Sequence, residues 1–470
     1  MKKSYVNFDG KNAIFEGLVL KRIQSASLSG NFDNENIQEL ANKGYVASVK
    51  TDETYDLSLD CFDRGNVDFL KHICRKDTST PNSGVITESD LEKISVDAVF
   101  QTETSDGELD RADYLPNLTL TSMALNYSVD GNASENYSFQ NTKRYFYLND
   151  KKSVRLARGE FVDDSTILVP WEVAGEVEVT AEAVGTGDDS ETEFTLSKAP
   201  IKANNYTIYI GGVAKTEGTD YSIDLSTGII EFATAPSMAE AITADFITEG
   251  AEVVVLRING KTIPSVNYTL IEDEINLSGI TISEDDRIVI LYVPKASQQT
   301  FEEVVTDLSE TAILRRGQID IFFNRESDLE AKQLRLQSVD INLSFDKNPL
   351  NELGEEEAYD HSVNSRTVDI TMNLNQSDLE MIAKATGKYA EFQAGTLTMI
   401  DMSDMVKDLV LKVKVYSSSS IKDSSTLLRE IEIKRVTISN PSESVSVGAV
   451  AEESFSATAD NIKITGGGNL

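Results

Sequence analysis

Residues 22–40 read RIQSASLSGNFDNENIQEL, and residues 335–353 read RLQSVDINLSFDKNPLNEL. Aligned without a gap, the two stretches share Arg22/Arg335, Gln24/Gln337, Ser25/Ser338, Phe32/Phe345, Asp33/Asp346, Glu39/Glu352 and Leu40/Leu353. The apolar positions between them match in kind: Ile23/Leu336, Ala26/Val339, Leu28/Ile341 and Ile37/Leu350. Working outward, the same spacing carries Tyr55-Asp56-Leu57-Ser58-Leu59 onto Val368-Asp369-Ile370-Thr371-Met372. After a slip of one residue, Val67-Asp68-Phe69-Leu70 meets Leu379-Glu380-Met381-Ile382. Near the end of each copy Ala133–Ser138 resembles Ala451–Ser456. One short match arises by chance, but matches repeated in the same order mark an internal duplication.

Each copy has the same layout. An alternating strand through Ile23, Ser25, Ala26, Ser27 and Leu28, or through Leu336, Val339, Ile341 and Leu343, comes first. A short helix is expected next, with Asp33 or Asn34 and Asp346 as N-caps. A second strand follows through Tyr55, Leu57 and Leu59, or Val368, Ile370 and Met372, and then a second helix. In the later copy Ser377–Glu380 has the capping-box pattern. The copies close on strand-rich segments, Leu118–Val129 and Leu427–Ile438. The fold class read from this is mainly β: two β-sandwich or small-barrel domains with short flanking helices, plus an inserted all-β domain.

The insert is residues 177–297, rich in Thr, Val, Ile and Gly, with turn residues every ~8–12 positions. It repeats internally. Ile210-Gly211-Gly212 and Asp220–Ile223 answer to Ile258-Asn259-Gly260 and Asn267–Leu270, and Gly-Gly and Asn-Gly between apolar runs predict tight hairpin turns. Linkers are expected at Gly185–Asp189 and Lys295–Thr300, and a helix at Phe301–Leu314, where Val304, Val305, Leu308, Ala312 and Ile313 share a face. The chain thus divides into residues 1–176 (first copy), 177–300 (insert) and 301–470 (second copy).

Composition limits the chemistry. The net charge is −35, so the chain repels phosphate backbones rather than gripping them. No apolar run of ~18 residues is present, and MKKSYVNFDG has no apolar stretch behind its lysines, so neither a membrane span nor a signal peptide is expected. Two cysteines, Cys61 and Cys74, suit a reducing compartment. The two histidines, His72 and His361, stand at non-equivalent places in different copies and complete no nucleophilic triad. Cys61, His72 and Cys74 lack the spacing of a zinc site, and Asp106–Asp110 lacks that of a calcium loop. Gly185-Thr186-Gly187 sits in an acidic turn unsuited to phosphate. No catalytic residue, cofactor or metal is expected, and the chain reads as a non-enzyme.

The run RIQSASLSGNFDNENIQELANKGYVASVKTDETYDLSLDCFD, followed by LNYSVDGNASENYSFQNTKRYFY, resembles the major tail (tail tube) proteins of tailed bacteriophages. The insert segment from Gly185 to Phe246 resembles a β-module common in phage virion proteins. The resemblance implies a β-sandwich with a flanking helix, stacked as hexameric rings around a lumen that conducts DNA. A simple tube protein carries one copy, and this chain carries two. Three chains would then supply the domains of one pseudo-sixfold ring, with the insert outside it. Implied partners are further copies of the chain, other tail proteins (tape measure, terminator, baseplate or sheath) and phage DNA passing without specific binding. The implied location is the virion tail, after synthesis in the host cytoplasm. The residues expected in the ring-forming strands are Arg22, Gln24, Leu28, Tyr55, Leu57, Leu59, Arg335, Gln337, Ile341, Val368, Ile370 and Met372. Two other readings stand beside the tube: a β-modular adhesin or receptor-binding protein, and another tail part of the same fold, a terminator or baseplate hub.

Overall fold

The alternation that begins at Ile23 does not stop at Phe32. In the computed structural model, strand β1 (Ile23–Ile37) forms a long antiparallel hairpin with β2 (Ala47–Phe62). The described residues are 13–20, 23–37, 47–63, 65, 67–76, 84–103, 109–170, 173–295, 314, 316–325, 336–350, 360–375, 380–401, 409–444 and 452–467. The first copy continues through helix α1 (Asp68–Ile73), β3 (Val85–Thr87), α2 (Glu88–Glu92), β4 (Ser95–Glu103), β5 (Leu109–Ser128) and β6 (Ser134–Asn141). The second contains β7 (Ile319–Arg325), β8 (Leu336–Leu350), β9 (Asp360–Leu374), α3 (Glu380–Ala385), α4 (Tyr389–Gln393), β10 (Leu409–Tyr416), β11 (Leu427–Ser444), β12 (Glu452–Ala459) and β13 (Asn461–Gly466). The molecule is mainly β.

Among the described residues, the caps expected to open a helix after the first strand stand in strands instead. Residues Asp33 and Asn34 lie within β1, and Asp346 within β8, which runs to Leu350. Ladder pairing along the whole hairpin supplies what a cap would have satisfied locally. The helix expected at Phe301–Leu314 and the capping residues Ser377 to Leu379 lie outside the described residues, apart from Leu314 itself; α3 begins at Glu380.

The duplication is exact enough to be read in backbone irregularities. Pairing of β1 with β2 skips at Gln24, and pairing of β8 with β9 skips at Gln337. A second bulge falls at Thr51 in one hairpin and Asn364 in the other. Strand β6 pairs with β2, and β12 with β9, in matching register (Tyr55↔Asn141, Val368↔Ala459). Further bulges fall at Thr121 in β5 and Ser439 in β11, whose hydroxyls donate to the carbonyls of Ser138 and Ser456, each at 3.1 Å. Asn117 and Arg435, at matching places in these two long strands, both hold left-handed conformations (φ 50° and 57°).

Contacts gather the chain into two compact units, residues 1–17, 98–114 and 146–304 in one, and residues 18–97, 115–145 and 305–470 in the other. The first holds two small sandwiches of the same strand order, except that the second carries one extra edge strand, Glu160–Asp163. In one, the sheet Glu178–Thr186, Ala241–Thr248, Ile201–Ile210, Val213–Ala214 faces Glu193–Thr195, Ile229–Phe232, Tyr221–Asp224. In the other, Arg155–Arg158, Ile288–Val293, Glu252–Ile258, Lys261–Ile263 faces Glu160–Asp163, Thr166–Leu168, Glu274–Leu277, Tyr268–Ile271. Separate cores close them, around Ile208, Ile230, Ile242 and Phe246, and around Ile167, Leu256, Ile275 and Ile290. The first sandwich is threaded into the second between Leu168 and Glu252, so the strands at 155–168 belong with the insert although they precede residue 177. The turns Gly211-Gly212 and Asn259-Gly260 have positive φ at both residues, as two-residue hairpins require. Gly185–Asp189, expected as a linker, is instead the end of a strand and a turn inside the threaded sandwich, where Asp188 accepts from the amides of Ser190 and Glu191. Residues 296–300 of the second expected linker lie outside the described residues. Among the described residues no helix is long and apolar enough to cross a membrane.

Candidate assembly interface

The two copies meet strand to strand. β5 of the first copy pairs antiparallel with β8 of the second, from Ser122↔Ser344 to Ser128↔Ser338. Sheet order on either side is the same, β1-β2-β6-β5 then β8-β9-β12-β11, so one copy continues the other as an unbroken eight-stranded sheet within a larger sixteen-stranded one. The seam has an apolar face, where Met123, Leu125, Val339, Ile341 and Leu343 are all buried to within 1% of full burial. Phe69 of α1 packs edge-on against Tyr137 of the same face, ring centroids 5.3 Å apart.

Charged groups hold the copies together beyond the strands. Arg429 on β11 is fully buried and donates to Asp63, Glu135 and Tyr127 of the first copy, the last at 2.6 Å. Glu135 accepts a further hydrogen bond from Tyr137 at 2.7 Å. Two carboxylates thus share one guanidinium in a dry site. Burial, with the neighbouring Asp63 carboxylate, pushes Glu135 up to about 7 against the pull of Arg429. Toward the other end of the seam, the buried Lys347 donates to the Glu92 carbonyl (2.7 Å) and the Thr119 hydroxyl (2.8 Å), while Arg366 pairs with Glu92. β13 of the later copy also pairs with β3 of the earlier one.

The outer face of the eight-stranded sheet has a different chemistry. One row crosses every strand: Ser25, Asp60, Asn136, Ala124, Asn342, Asp369, Thr458 and Thr437. The next row begins Ser27, Ser58, Ser138, Ser122, Ser344 and Thr367. Across these two rows there are short hydroxyl and amide side chains, two aspartates, one alanine and no lysine or arginine. Such a surface offers a polyanion neither a positive charge nor a protruding side chain.

The strands named from sequence fall into three groups. Arg22 and Arg335 lie outside the described residues. Gln24 and Gln337 are the bulge residues of β1 and β8, and Leu28 and Ile341 follow them on the same strands. Tyr55, Leu57, Leu59, Val368, Ile370 and Met372 are buried on β2 and β9. Both edges of these two strands are already paired within the chain, so these six residues build core. Among the described residues, the edges left in this run of strands are β1 and the far half of β11. Arg429, Asp63, Glu135 and the polar outer face were not picked out from sequence. Among the described residues no group of three His, Cys, Asp or Glu side chains is placed to hold a metal.

No known protein family matches the chain, and no curated protein does. Among solved structures, it is similar to the tube-terminating cap of the anti-feeding prophage, at 10% identity over 35% of this chain and 99% of that one, with a TM-score of 0.25. It is also similar to the Dit protein of phage SPP1, a hub of the adsorption apparatus of phages infecting Gram-positive bacteria, at 12% identity over 60% of this chain and 98% of that one, with a TM-score of 0.14.

Proposed function

We propose that this chain is a non-enzymatic structural component of a phage-type tail, whose two tube-like copies build part of a ring wall around a passage for DNA. The observation that carries this reading is the seam between β5 and β8. It continues one copy into the next as a single sheet, the construction a wall of repeated domains needs. The cation-free outer face, in a chain of net charge −35, suits the surface past which DNA moves. Rings would contain three chains and pseudo-sixfold symmetry, with the threaded sandwiches outside the wall and other tail proteins at its ends.

The test is electron microscopy of the purified full-length chain, with the mass of any ring measured. Stacked rings of three chains with a central channel are the expected result. Single rings that never stack would move the chain to a terminator or hub of the same fold. A monomer that instead binds cells or glycans would overturn the reading in favour of an adhesin.

A further inference from the structure

The eight-stranded sheet ends in two strands whose equivalents are paired. β1 is the counterpart of β8, since Ser25 faces Asp60 as Ser338 faces Asn373. β11 is the counterpart of β5, since Pro441 faces Phe455 as Met123 faces Tyr137. Within the chain β5 and β8 pair with each other. The far half of β11 and the outer edge of β1 therefore repeat the two sides of a seam that the chain makes once and presents once more at its ends, unpaired among the described residues.

Burial agrees with this. Val339 and Ile341 on β8 are 0% and 1% exposed, whereas their counterparts Ala26 and Leu28 on β1 are only half-buried. Met123 is 0% exposed and its counterpart Pro441 is half-buried. The same positions of the same fold lose cover where the neighbouring strand is absent. Long open edges invite pairing with another chain, and an edge whose complement lies at the other end of the same molecule selects a second copy.

We infer that β11 of one chain joins β1 of the next in the register of the internal seam, with Ser27 opposite Ser444, Ser29 opposite Ser442 and Asn31 opposite Asn440. The register follows from Asp340↔Asn126, Asn342↔Ala124 and Ser344↔Ser122. The repeat also names an ion pair for it. Arg111 stands on β5 where Arg429 stands on β11, each two residues after a leucine (Leu109, Leu427). Glu453 faces Glu443 as Glu135 faces Leu125, and it is 3% exposed. Arg111 of the incoming chain thus meets Glu453 as Arg429 meets Glu135. Pro441 removes one donor from β11, and prolines within sheets are confined to edges and bulges. The seam between chains is accordingly weaker than the one inside the chain, which suits subunits that must remain separate before they assemble. This rests on the ring reading for its closure, but the partner and register are independent of how many chains close.

Disulfide trapping of the full-length chain tests it. The S27C/S444C double variant should form cross-linked multimers on oxidation, at least tenfold above the off-register S27C/S442C variant and the unsubstituted chain. The D340C/N126C variant, in register across the internal seam, should close within one chain and serves as the geometric control. R111E and E453R should each abolish multimers, and the R111E/E453R pair should restore them. Rings that form without S27C/S444C cross-links would overturn the seam and leave the ring reading standing. Cross-linked open chains that never close would support the seam and overturn the ring. Cross-linking only to a different protein, or a monomer with no cross-link at any concentration, would overturn the seam.

Discussion

Arg429 is the residue at which the two copies depend on each other most. A buried guanidinium shared by Asp63 and Glu135 contributes little net stability when intact, because desolvation offsets much of the attraction. Removing it is another matter. Arg429→Leu strands two carboxylates in a dry site and should cost about 3–5 kcal/mol, read as a lowered urea midpoint. Glu135 adds a pH dependence of defined sign. Its pKa in the fold is raised, to about 7, so the folded chain holds that proton more tightly than the unfolded one. Stability from this group is therefore present at low pH and lost as pH rises through the interval from its ordinary value, about 4.5, to about 7. Glu135→Gln removes the titration. The wild-type chain should gain on E135Q as pH falls from about 8 to about 5, and a constant difference between their denaturation midpoints would refute the assignment.

At the scale of elements, burial separates strands that look alike in sequence. Leu28 and Leu57 face each other across the first hairpin, yet Leu57 is 1% exposed on a central strand and Leu28 is half-buried on an edge. Leu57→Ala should cost about 2–5 kcal/mol in the monomer and Leu28→Ala distinctly less. In assembled particles the two costs should converge, because a neighbouring chain covers Leu28. The threaded sandwich gives a second test. The amide of Ala251 donates to the carbonyl of Ala174, and Gly250 lies against the backbone of Glu176, so the chain enters and leaves that sandwich at one point. Replacing residues 177–248 by a short glycine linker should leave the rest folded, with one cooperative thermal transition lost.

The same scale shows what the sequence made legible. Alternation through Leu57 and Leu59, the repeated Arg-x-Gln-Ser start, and Gly-Gly and Asn-Gly turns are local signals, and each placed its element. Asp33 and Asp346 were misread as helix caps because they carry cap chemistry that ladder pairing along the hairpin overrides. The strands at 155–168 could not be joined to 252–293 by reading along the chain, since the threaded sandwich separates partners that touch only in space. Arg429 was missed for a similar reason: its acids lie in the other copy. The signal available was Leu109-x-Arg111 against Leu427-x-Arg429, short enough to pass as coincidence until the strands are superposed.

For the whole molecule, the question is whether the polar face of the sheet serves the passage of DNA or is only solvated surface. Both explain short hydroxyl side chains, but they differ in what added cations would do. A solvated outer wall tolerates lysine with little consequence for DNA handling in an assembled ring. A lumen does not, because each ring would bring the added charges around the same duplex and each contacted phosphate releases a counterion. The variant S58K/S138K/T371K places three lysines on this face, at positions paired side by side or on matching strands. Wild-type particles should retain no DNA at any salt between about 50 and 200 mM, as like charges repel. The lysine particles should hold short duplexes at about 50 mM and lose them steeply by about 200 mM, with a log–log slope that grows with the number of phosphates contacted. Lysines placed at exposed positions of the threaded sandwich, Val213 and Met238, are the control, and they should not trap DNA within the particle. Nuclease protection decides between the two surfaces: DNA held inside a ring is shielded along the ring's height, whereas DNA held on an outer wall is cut. Protected fragments with the face variant alone would make this sheet the lining of the passage, and cleaved DNA would place it on the outside.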